Sequence, residues 1–315
     1  MEKEEKNFQG VNPQTTHHVL MVRPACFAFN EETAGNNVFQ HRGDNADACN
    51  LQQQATDEFD AYVSLLRQNG VAVTVIDDTP VPFTPDSIFP NNCFSTHRDE
   101  AGRTVVLYPM YAPNRREERE KLRPVLLQMS FDRVIDLTHW ERSGHFLEGT
   151  GSLVLDRLGR VAYACRSPRT HEEVVADWAR QMGYDYFLFE SADAQGTAIY
   201  HTNVMMHIGL HTAVVCLDSI SNTHQRTALL SRLEASGREV VSVSLAQMSL
   251  FAGNMLEVRG TDGEPLLLMS TTARQSLTAA QVAKLSSGTR IVTPGIPVIE
   301  TIGGGSARCM VAELF

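Results

Sequence analysis

The chain has 315 residues, of which 43% are hydrophobic and 20% are charged, a composition typical of a globular protein. Its formal net charge is −10, from 27 basic and 37 acidic residues, which disfavours nucleic acid or an anionic membrane as a partner. The sequence has no apolar run of the roughly 18 residues needed to span a bilayer, and its charged start is not typical of a signal peptide. We therefore expect a cytoplasmic protein.

Six cysteines stand at positions 26, 49, 93, 165, 216 and 309. They show no CxxC pair and no spacing typical of metal ligands. In a cytoplasmic chain we expect reduced thiols, most of them buried, with one of them reactive.

The predicted elements begin with a strand in HVLMV (18–22), after residues 1–16, which we expect to be disordered or peripheral. A polar stretch to about residue 45 follows, then an amphipathic helix over 47–70 and a strand over 71–77. Residues 30–50, with GNN and HRGDN, are a candidate lid.

Four further units begin at residues 92, 151, 203 and 254, and each is predicted to contain two strands, a helix and another strand. In the unit at 151, Thr170 is the predicted helix N-cap, with Glu173 in a capping box, and Gly183 ends the helix. Pro124 predicts a kink or an early break in the helix of the unit at 92. A short tail strand remains in 307–314.

The pattern therefore predicts five ββαβ units of roughly 50–65 residues each. Such a unit cannot bury both of its faces alone, and a closed ring of units also removes exposed sheet edges. We predict an α/β fold with pseudo-fivefold symmetry, formed by residues 1–315 as a single domain. Two stacked α/β halves are the alternative.

Polar motifs recur just before or at the first strand of successive units. His201 follows Glu148 by 53 residues, Asn254 follows His201 by 53, and Cys309 follows Asn254 by 55. Because equivalent positions of a ring converge on its axis, we predict that five residues approach one another: Asp86, Glu148, His201, Asn254 and Cys309.

These residue types form a chemically useful group. A cysteine is a nucleophile as the thiolate, which a nearby histidine supplies or stabilises. A carboxylate orients the histidine or binds a cationic nitrogen of a substrate. Gly303–Gly305 allow backbone N–H groups to approach a ligand closely.

At these motifs the sequence resembles the guanidine-modifying, or pentein, superfamily, which includes arginine deiminases, dimethylarginine hydrolases and amidinotransferases. PDSIFPNN (85–92) resembles the D-x-x-F-x-x-D substrate segment, and LEGTG (147–151) resembles the E-G/A-G-D segment. HTN (201–203) resembles H-x-D, and GGGSARCM (303–310) resembles the G-R-G-G-x-x-C-M ending. From about residue 17 onward, the sequence looks most like the bacterial amidinotransferase or citrulline-utilisation hydrolase group.

The resemblance implies a five-bladed α/β propeller without metal or cofactor. It implies that Cys309 is the nucleophile, His201 the general acid and base, and Glu148 the catalytic carboxylate. Four arginines are candidates for binding a substrate carboxylate: Arg23, Arg142, Arg166 and Arg308. Arg142 and Arg308 lie nearest the motifs. The expected substrate-binding residues are Asp86, Phe89, Asn92, Asn203, Asn254, Arg142 and Arg308.

Amides replace carboxylates at three positions where the superfamily holds a cationic guanidinium. Asn203 stands at the aspartate of H-x-D, and Asn91 and Asn92 stand where glutamate and aspartate are frequent. An amide both donates and accepts hydrogen bonds, whereas a carboxylate only accepts them and favours a cation. This exchange favours a neutral ureido group, and hence citrulline over arginine. Ser152 replaces the usual aspartate after LEGTG.

The expected reaction is attack by the Cys309 thiolate on the ureido or guanidino carbon, with ammonia leaving and water releasing the product. We expect Glu148 to keep His201 charged. The expected partner is a small amino-acid substrate, and a homodimer is possible. The alternatives are arginine deiminase or dimethylarginine hydrolase activity, an amidinotransferase, a non-catalytic propeller scaffold, and a different cysteine hydrolase on a two-domain α/β scaffold.

Overall fold

The computed structural model describes residues 14–42 and 48–315, in which strands and helices alternate along the chain. The strands of this part of the chain are β1 (His18–Arg23), β2 (Ala72–Asp77), β3 (Phe94–Asp99), β4 (Gly102–Leu107), β5 (Arg133–Asp136), β6 (Val154–Asp156), β7 (Val161–Cys165), β8 (Asp185–Phe189), β9 (Met206–Ile208), β10 (Thr212–Val215), β11 (Glu239–Ser242), β12 (Leu256–Arg259), β13 (Pro265–Leu268), β14 (Arg290–Val292) and β15 (Ala312–Leu314). The helices are α1 (Ala48–Gln68), α2 (Pro113–Gln128), α3 (Gly149–Ser152), α4 (Glu172–Met182), α5 (Thr202–Met205), α6 (Thr223–Ala235), α7 (Leu245–Met248), α8 (Thr271–Ser276) and α9 (Ala279–Leu285).

Within the described ranges, the strands form five sheets of three strands each. The middle strand of each sheet pairs antiparallel with the first strand and parallel with the third. In the second sheet, for example, Phe94 of β3 lies opposite Leu107 of β4, and Thr104 of β4 lies opposite Arg133 of β5. A parallel pair needs a crossover connection, and α2 provides it here. The predicted ββαβ units are confirmed.

The first strands of the sheets face a common axis. β15 contacts β3, β6 contacts β9, and β9 contacts β12. The side chain of Thr96 in β3 also donates a hydrogen bond of 2.9 Å to the carbonyl oxygen of Glu313 in β15. The fold is a five-bladed α/β propeller, and the alternative of two stacked halves is wrong.

The two ends of the described chain close the ring. β1 pairs parallel with β2 and antiparallel with β15, with Val19 opposite Glu313. The first unit contributes only one strand before its helix, and the tail strand fills the missing position. Because β15 takes this position, β1 has no free edge toward the axis.

The main helices cover the sheets, with differences from the sequence expectations at their ends. α4 begins after His171, which forms no side-chain cap, so the predicted Thr170 capping box is wrong. Gly183 follows α4 with φ +67°, as expected, and α2 continues through Pro124 without a break. No helix in residues 14–42 or 48–315 is both long and apolar enough to cross a membrane.

Residues Gln14, Thr15 and Thr16 are buried against the ring. The Gln14 amide donates to the carbonyl oxygens of Leu155, at 2.9 Å, and Ile208, at 3.3 Å, and the Thr16 hydroxyl donates to that of Leu314. The segment expected to be peripheral therefore does not extend to residues 14–16. Residues 1–13 lie outside the described residues.

We expect deletion of residues 312–315 to lower the free energy of unfolding by more than about 3 kcal/mol. Leu314 is buried and contributes about 1.5–3 kcal/mol, and the hydrogen bonds of β15 to β1 are lost as well. Thermal unfolding and soluble yield measure the effect. Phe315→Ala is the control, because it keeps β15 and removes only the ring over Arg157, worth about 0.5–2 kcal/mol. Equal stability of the truncated and full-length chains would contradict the closure.

Candidate active site

The predicted site residues lie on short turns that precede the first strands of the sheets. Asn92 ends a 3₁₀ turn before β3, Glu148 precedes α3 and β6, and His201 precedes α5 and β9. Asn254 follows a turn before β12, and Cys309 lies in the turn before β15. The predicted first strands therefore begin a few residues later than expected, because the motif residues form these turns.

Cys309 is buried and receives two amide hydrogen bonds at its sulfur. Nδ2 of Asn254 lies 3.2 Å from Sγ, and Nδ2 of Asn203 lies 3.5 Å from it. The Asn254 amide is held in this orientation, since its Oδ1 accepts a hydrogen bond from the backbone N–H of Arg308 at 3.0 Å. The sulfur of Cys309 is thus the acceptor of two side-chain amides from neighbouring sheets.

Glu148 and His201 form a buried pair. Nε2 of His201 lies 2.8 Å from Oε2 of Glu148, and the backbone N–H of Tyr111 donates to Oε1 of Glu148 at 2.9 Å. Although burial opposes its ionisation, Arg169 and the hydrogen bond to His201 hold the pKa of Glu148 well below its usual range. Glu148 is therefore a carboxylate at neutral pH.

His201 is neutral in this environment. Burial lowers its pKa to about 4, in spite of the opposing effect of Glu148. The expectation that Glu148 keeps His201 charged in the free protein is therefore wrong. Because a carboxylate only accepts, the neutral imidazole donates from Nε2 and keeps a free lone pair on Nδ1.

Tyr200 connects the segment of His201 with the glycine turn that precedes Cys309. The Tyr200 ring lies 4.5 Å from the His201 ring, and its hydroxyl donates to the carbonyl oxygen of Gly304 at 2.7 Å. A Cβ at Gly303 or Gly305 would lie 2.8 Å from the Phe89 ring. Only glycine allows the Cys309 turn to pack this closely on Phe89, so this ring supports the turn.

A second charged group surrounds Arg115 of α2. Its guanidinium forms two hydrogen bonds with Glu118, at 3.0 and 3.1 Å, and donates to Oδ1 of Asn92 at 3.0 Å. It also lies 3.7 Å from carboxylate oxygens of both Asp86 and Glu148. Arg115 therefore connects the first and second predicted motifs.

The orientation of the Asn92 amide follows from this contact. Because a guanidinium only donates, Asn92 presents its oxygen to Arg115, and its buried Nδ2 has no partner in the part of the chain that the structure describes. A Cβ at Gly151 would lie 2.3 Å from this Nδ2 and 2.8 Å from Nδ1 of His201. An unpaired donor and an unpaired base thus border the same space beside Gly151.

Part of the predicted lid covers this group. Arg169 donates to Oδ1 of Asn36 and to the carbonyl oxygen of Thr33, and its Nη1 lies 3.5 Å from Glu148. Asn37 donates to the carbonyl oxygen of Gly304 at 3.4 Å. We refer to residues 30–41 as the cover loop. The predicted lid also included residues 43–47, which lie outside the described part of the chain.

The structure does not bring the expected arginines into the group. The Arg308 guanidinium pairs with Glu313 at 2.8 Å, and Arg142 is exposed on the surface. Arg23 pairs with Asp60, and Arg166 pairs with Glu172, both on the surface. Three of these side chains are held in salt bridges and the fourth is exposed to solvent. The structure therefore does not support a role for them in binding a substrate carboxylate.

Sequence reasoning missed Arg115 and Arg169. Both are buried beside Glu148, but Arg115 stands in RREERE, a run typical of a solvated helix face. Ser152 also has a clear position, since its hydroxyl accepts from the backbone N–H of Glu148 at 3.1 Å and donates to the carbonyl oxygen of Arg169 at 3.0 Å. It stabilises the turn after Glu148 where the motif has an aspartate.

Comparison with known proteins gives the family. The sequence model of the family described as "N,N dimethylarginine dimethylhydrolase, eukaryotic" matches residues 23–315. No curated protein matches the chain.

Solved structures show the same fold at low sequence identity. The N-terminal domain of ArgZ, a cyanobacterial arginine dihydrolase solved with its substrate, is 16% identical with a TM-score of 0.71, and the match covers 94% of this chain and 97% of that one. Unliganded AgrE is 15% identical with a TM-score of 0.74, over 95% of this chain and 39% of that one.

A dimethylarginine dimethylaminohydrolase adduct with 4-chloro-2-hydroxymethylpyridine is 16% identical with a TM-score of 0.65, over 95% of this chain and 100% of that one. The structural likeness supports the fold, and the match over residues 23–315 establishes the family. The chain therefore belongs to the dimethylarginine dimethylhydrolase family of the pentein superfamily, and it is a hydrolase of C–N bonds in arginine-type compounds.

Proposed function

We propose that this hydrolase acts on the ureido group of citrulline and releases ornithine, ammonia and carbon dioxide. The observation that carries the proposal is the unpaired Nδ2 of Asn92 beside Nδ1 of His201. A ureido oxygen accepts hydrogen bonds and satisfies this donor, whereas a guanidinium has only donors to offer.

The charges of the site support a neutral group. Three carboxyl groups, those of Asp86, Glu118 and Glu148, lie beside two buried guanidinium groups, those of Arg115 and Arg169. Burial raises the pKa of Asp86 and raises that of Glu118 to about 7, in spite of Arg115. The two guanidinium groups and this reduced ionisation leave little negative charge for a substrate guanidinium, and burying an uncompensated cation is costly.

In the first half-reaction, neutral His201 accepts the thiol proton of Cys309 at Nδ1, and the sulfur attacks the ureido carbon. Glu148 stabilises the imidazolium that forms, and the amides of Asn203 and Asn254 stabilise the thiolate before attack. The imidazolium then gives its proton to the leaving nitrogen, and ammonia departs. Cys309 is left bonded to the carbonyl carbon as a thiocarbamate.

In the second half-reaction, water attacks the same carbon and gives a proton to Nδ1 of His201. The C–S bond breaks, and its electron pair returns to the sulfur of Cys309. The product is a carbamate, which loses carbon dioxide and leaves ornithine. His201 thus acts first as base, then as acid, and again as base.

Arginine is the second candidate substrate. Oδ1 of Asp86 is buried without a protein partner, and an acceptor of this kind suits a guanidinium N–H. ArgZ is described as an arginine dihydrolase, so removal of ammonia from arginine before citrulline is a related possibility. Transfer to an amine instead of water, as in amidinotransferases, and a non-catalytic scaffold are further outcomes of the tests below.

Cys309→Ser tests whether the site is catalytic. We expect it to lower ornithine and ammonia release from citrulline by about 10³-fold or more, because the hydroxyl is a far weaker nucleophile here. Cys49→Ser, on the exposed face of α1, is the control and should retain activity. Activity unchanged by Cys309→Ser would contradict Cys309 as the nucleophile, and a wild-type protein inactive on citrulline, arginine and methylated arginines would favour a scaffold. Addition of an amine acceptor to the assay reveals any transfer product.

Asn92→Asp tests the substrate preference. We expect kcat/KM for citrulline to fall about 10- to 100-fold, because the unpaired donor is lost from a buried site. The new carboxylate still accepts from Arg115, so the fold should persist. The ratio of kcat/KM for arginine to that for citrulline should rise. The control is Asn50→Asp, which is exposed. A variant that keeps the citrulline preference would argue against this role of Asn92.

The pH dependence tests the protonation of His201. The base must be neutral in the free enzyme, and burial lowers its pKa to about 4. We therefore expect kcat/KM for citrulline to stay level as the pH falls through 6.5, the usual pKa of histidine, and to decline only nearer this lower value. Glu148→Gln should shift the decline lower still and reduce kcat, because the imidazolium loses its counter-charge. A wild-type decline centred at pH 6.5 would contradict a neutral buried His201.

A further inference from the structure

Next to the nucleophile, the ring contains a small polar cavity of about 30 Å³. A water molecule needs about 10–15 Å³, so the cavity has room for about two. Thr150 and Asn203 line it from the candidate active site, and Gln14, His207 and Glu257 also line it. We refer to this space as the axial cavity.

Two buried groups in its wall each have one atom without a hydrogen-bond partner among residues 14–42 and 48–315. These atoms are Nε2 of His207 and Oε1 of Glu257, whose side chains are 4% and 3% exposed. A Cβ at Gly209 would lie 3.3 Å from Nε2 of His207 and 2.3 Å from Oε2 of Glu257, so both groups border the same position. Water donates and accepts two hydrogen bonds each, and it satisfies both atoms whichever of them carries a proton.

The cavity also reaches the reacting sulfur through Asn203. Nδ2 of Asn203 contacts Sγ of Cys309, while its buried Oδ1 has no partner. Asn203 thus offers an acceptor in the wall that separates the cavity from the sulfur.

Hydrogen bonds and salt bridges fix the wall of this space. Gln14 bonds to Leu155 and Ile208 across two sheets, and Glu313 pairs with both Arg157 and Arg308. On the substrate side, the cover loop bonds to Arg169 and to the glycine turn. A water held in the cavity is available to the site while the cover loop keeps these contacts.

We propose that the axial cavity supplies the water of the second half-reaction. This inference rests on the proposed function, because only a hydrolysed thio-intermediate consumes water. The water oxygen bonds to the carbonyl carbon, the C–S bond breaks toward Cys309, and the water proton goes to Nδ1 of His201. Glu257 and His207 hold the water supply and touch neither the substrate nor the sulfur, so they are positioning residues.

Glu257→Met tests the proposal, since it keeps the side-chain volume and removes the carboxylate that holds water. Wild-type and variant enzymes are mixed with citrulline and quenched with acid on the timescale of one turnover. Ammonia reports the first half-reaction, ornithine reports the second, and intact mass reports the covalent adduct on Cys309. We expect first-turnover ammonia within about twofold of wild type, ornithine release at least about tenfold slower, and most of the enzyme present as adduct.

His207→Leu should give the same signature and serves if Glu257→Met does not fold. Leu229→Met is the control, because it changes the core beneath α6 outside the cavity lining. Equal slowing of ammonia and ornithine release would indicate a structural role only and overturn the proposal. Wild-type rates without adduct in both variants would also overturn it.

The wild-type enzyme separates this inference from the proposed function. If it releases no ornithine from citrulline but acts on arginine, the citrulline assignment fails. The rates of the first and second half-reactions are then compared in the same way with arginine. Its amidino adduct on Cys309 also needs water for hydrolysis. If neither substrate yields ammonia, both proposals are overturned.

Discussion

The pairing of β15 with β1 is the constraint on which the rest of the structure depends. It fills the one missing strand of the ring, and it also fixes the position of Cys309, which stands three residues before β15. The other site residues stand on turns that enter their own sheets. These residues come near the sulfur of Cys309 only if the ring is closed. Closure of the ring therefore also assembles the site.

The second constraint is the burial of charge around Glu148. Burying guanidinium and carboxylate groups is favourable only when they pair and their hydrogen bonds are satisfied. Arg115 satisfies most of its donors through Glu118 and Asn92, and Arg169 through the cover loop. Several of the atoms left without partners, including Asp86 Oδ1, Asn92 Nδ2 and Asn203 Oδ1, belong to this group. Buried unpaired atoms are rare in folded proteins, so their concentration at one place indicates a ligand site.

The repeat made the contacts of Glu148 with His201 and of Asn254 with Cys309 predictable, because equal spacing in a ring implies equivalent positions. The two buried arginines were not predictable in the same way. Arg115 lies on a helix whose charged sequence is typical of an exposed face, and its burial depends on the turn of another sheet packing over it. The neutral state of His201 also depends on its burial, and a local sequence motif does not indicate burial. Local patterns thus report the strands and turns, whereas burial and charge pairing emerge only from the packed ring.

The same division explains how specificity can change without a change of fold. Each sheet delivers one turn to the axis, and the hydrogen bonds of its strands do not involve the motif side chains. Asn92 and Asn203 therefore tolerate acid or amide without altering the strand pairing, while the exchange alters which atoms meet the substrate. Gly303 and Gly305 have no such freedom, because a Cβ there would lie against the Phe89 ring. Packing therefore constrains the residues that shape the turns. The contacts that the substrate needs constrain the residues that face the space at the axis.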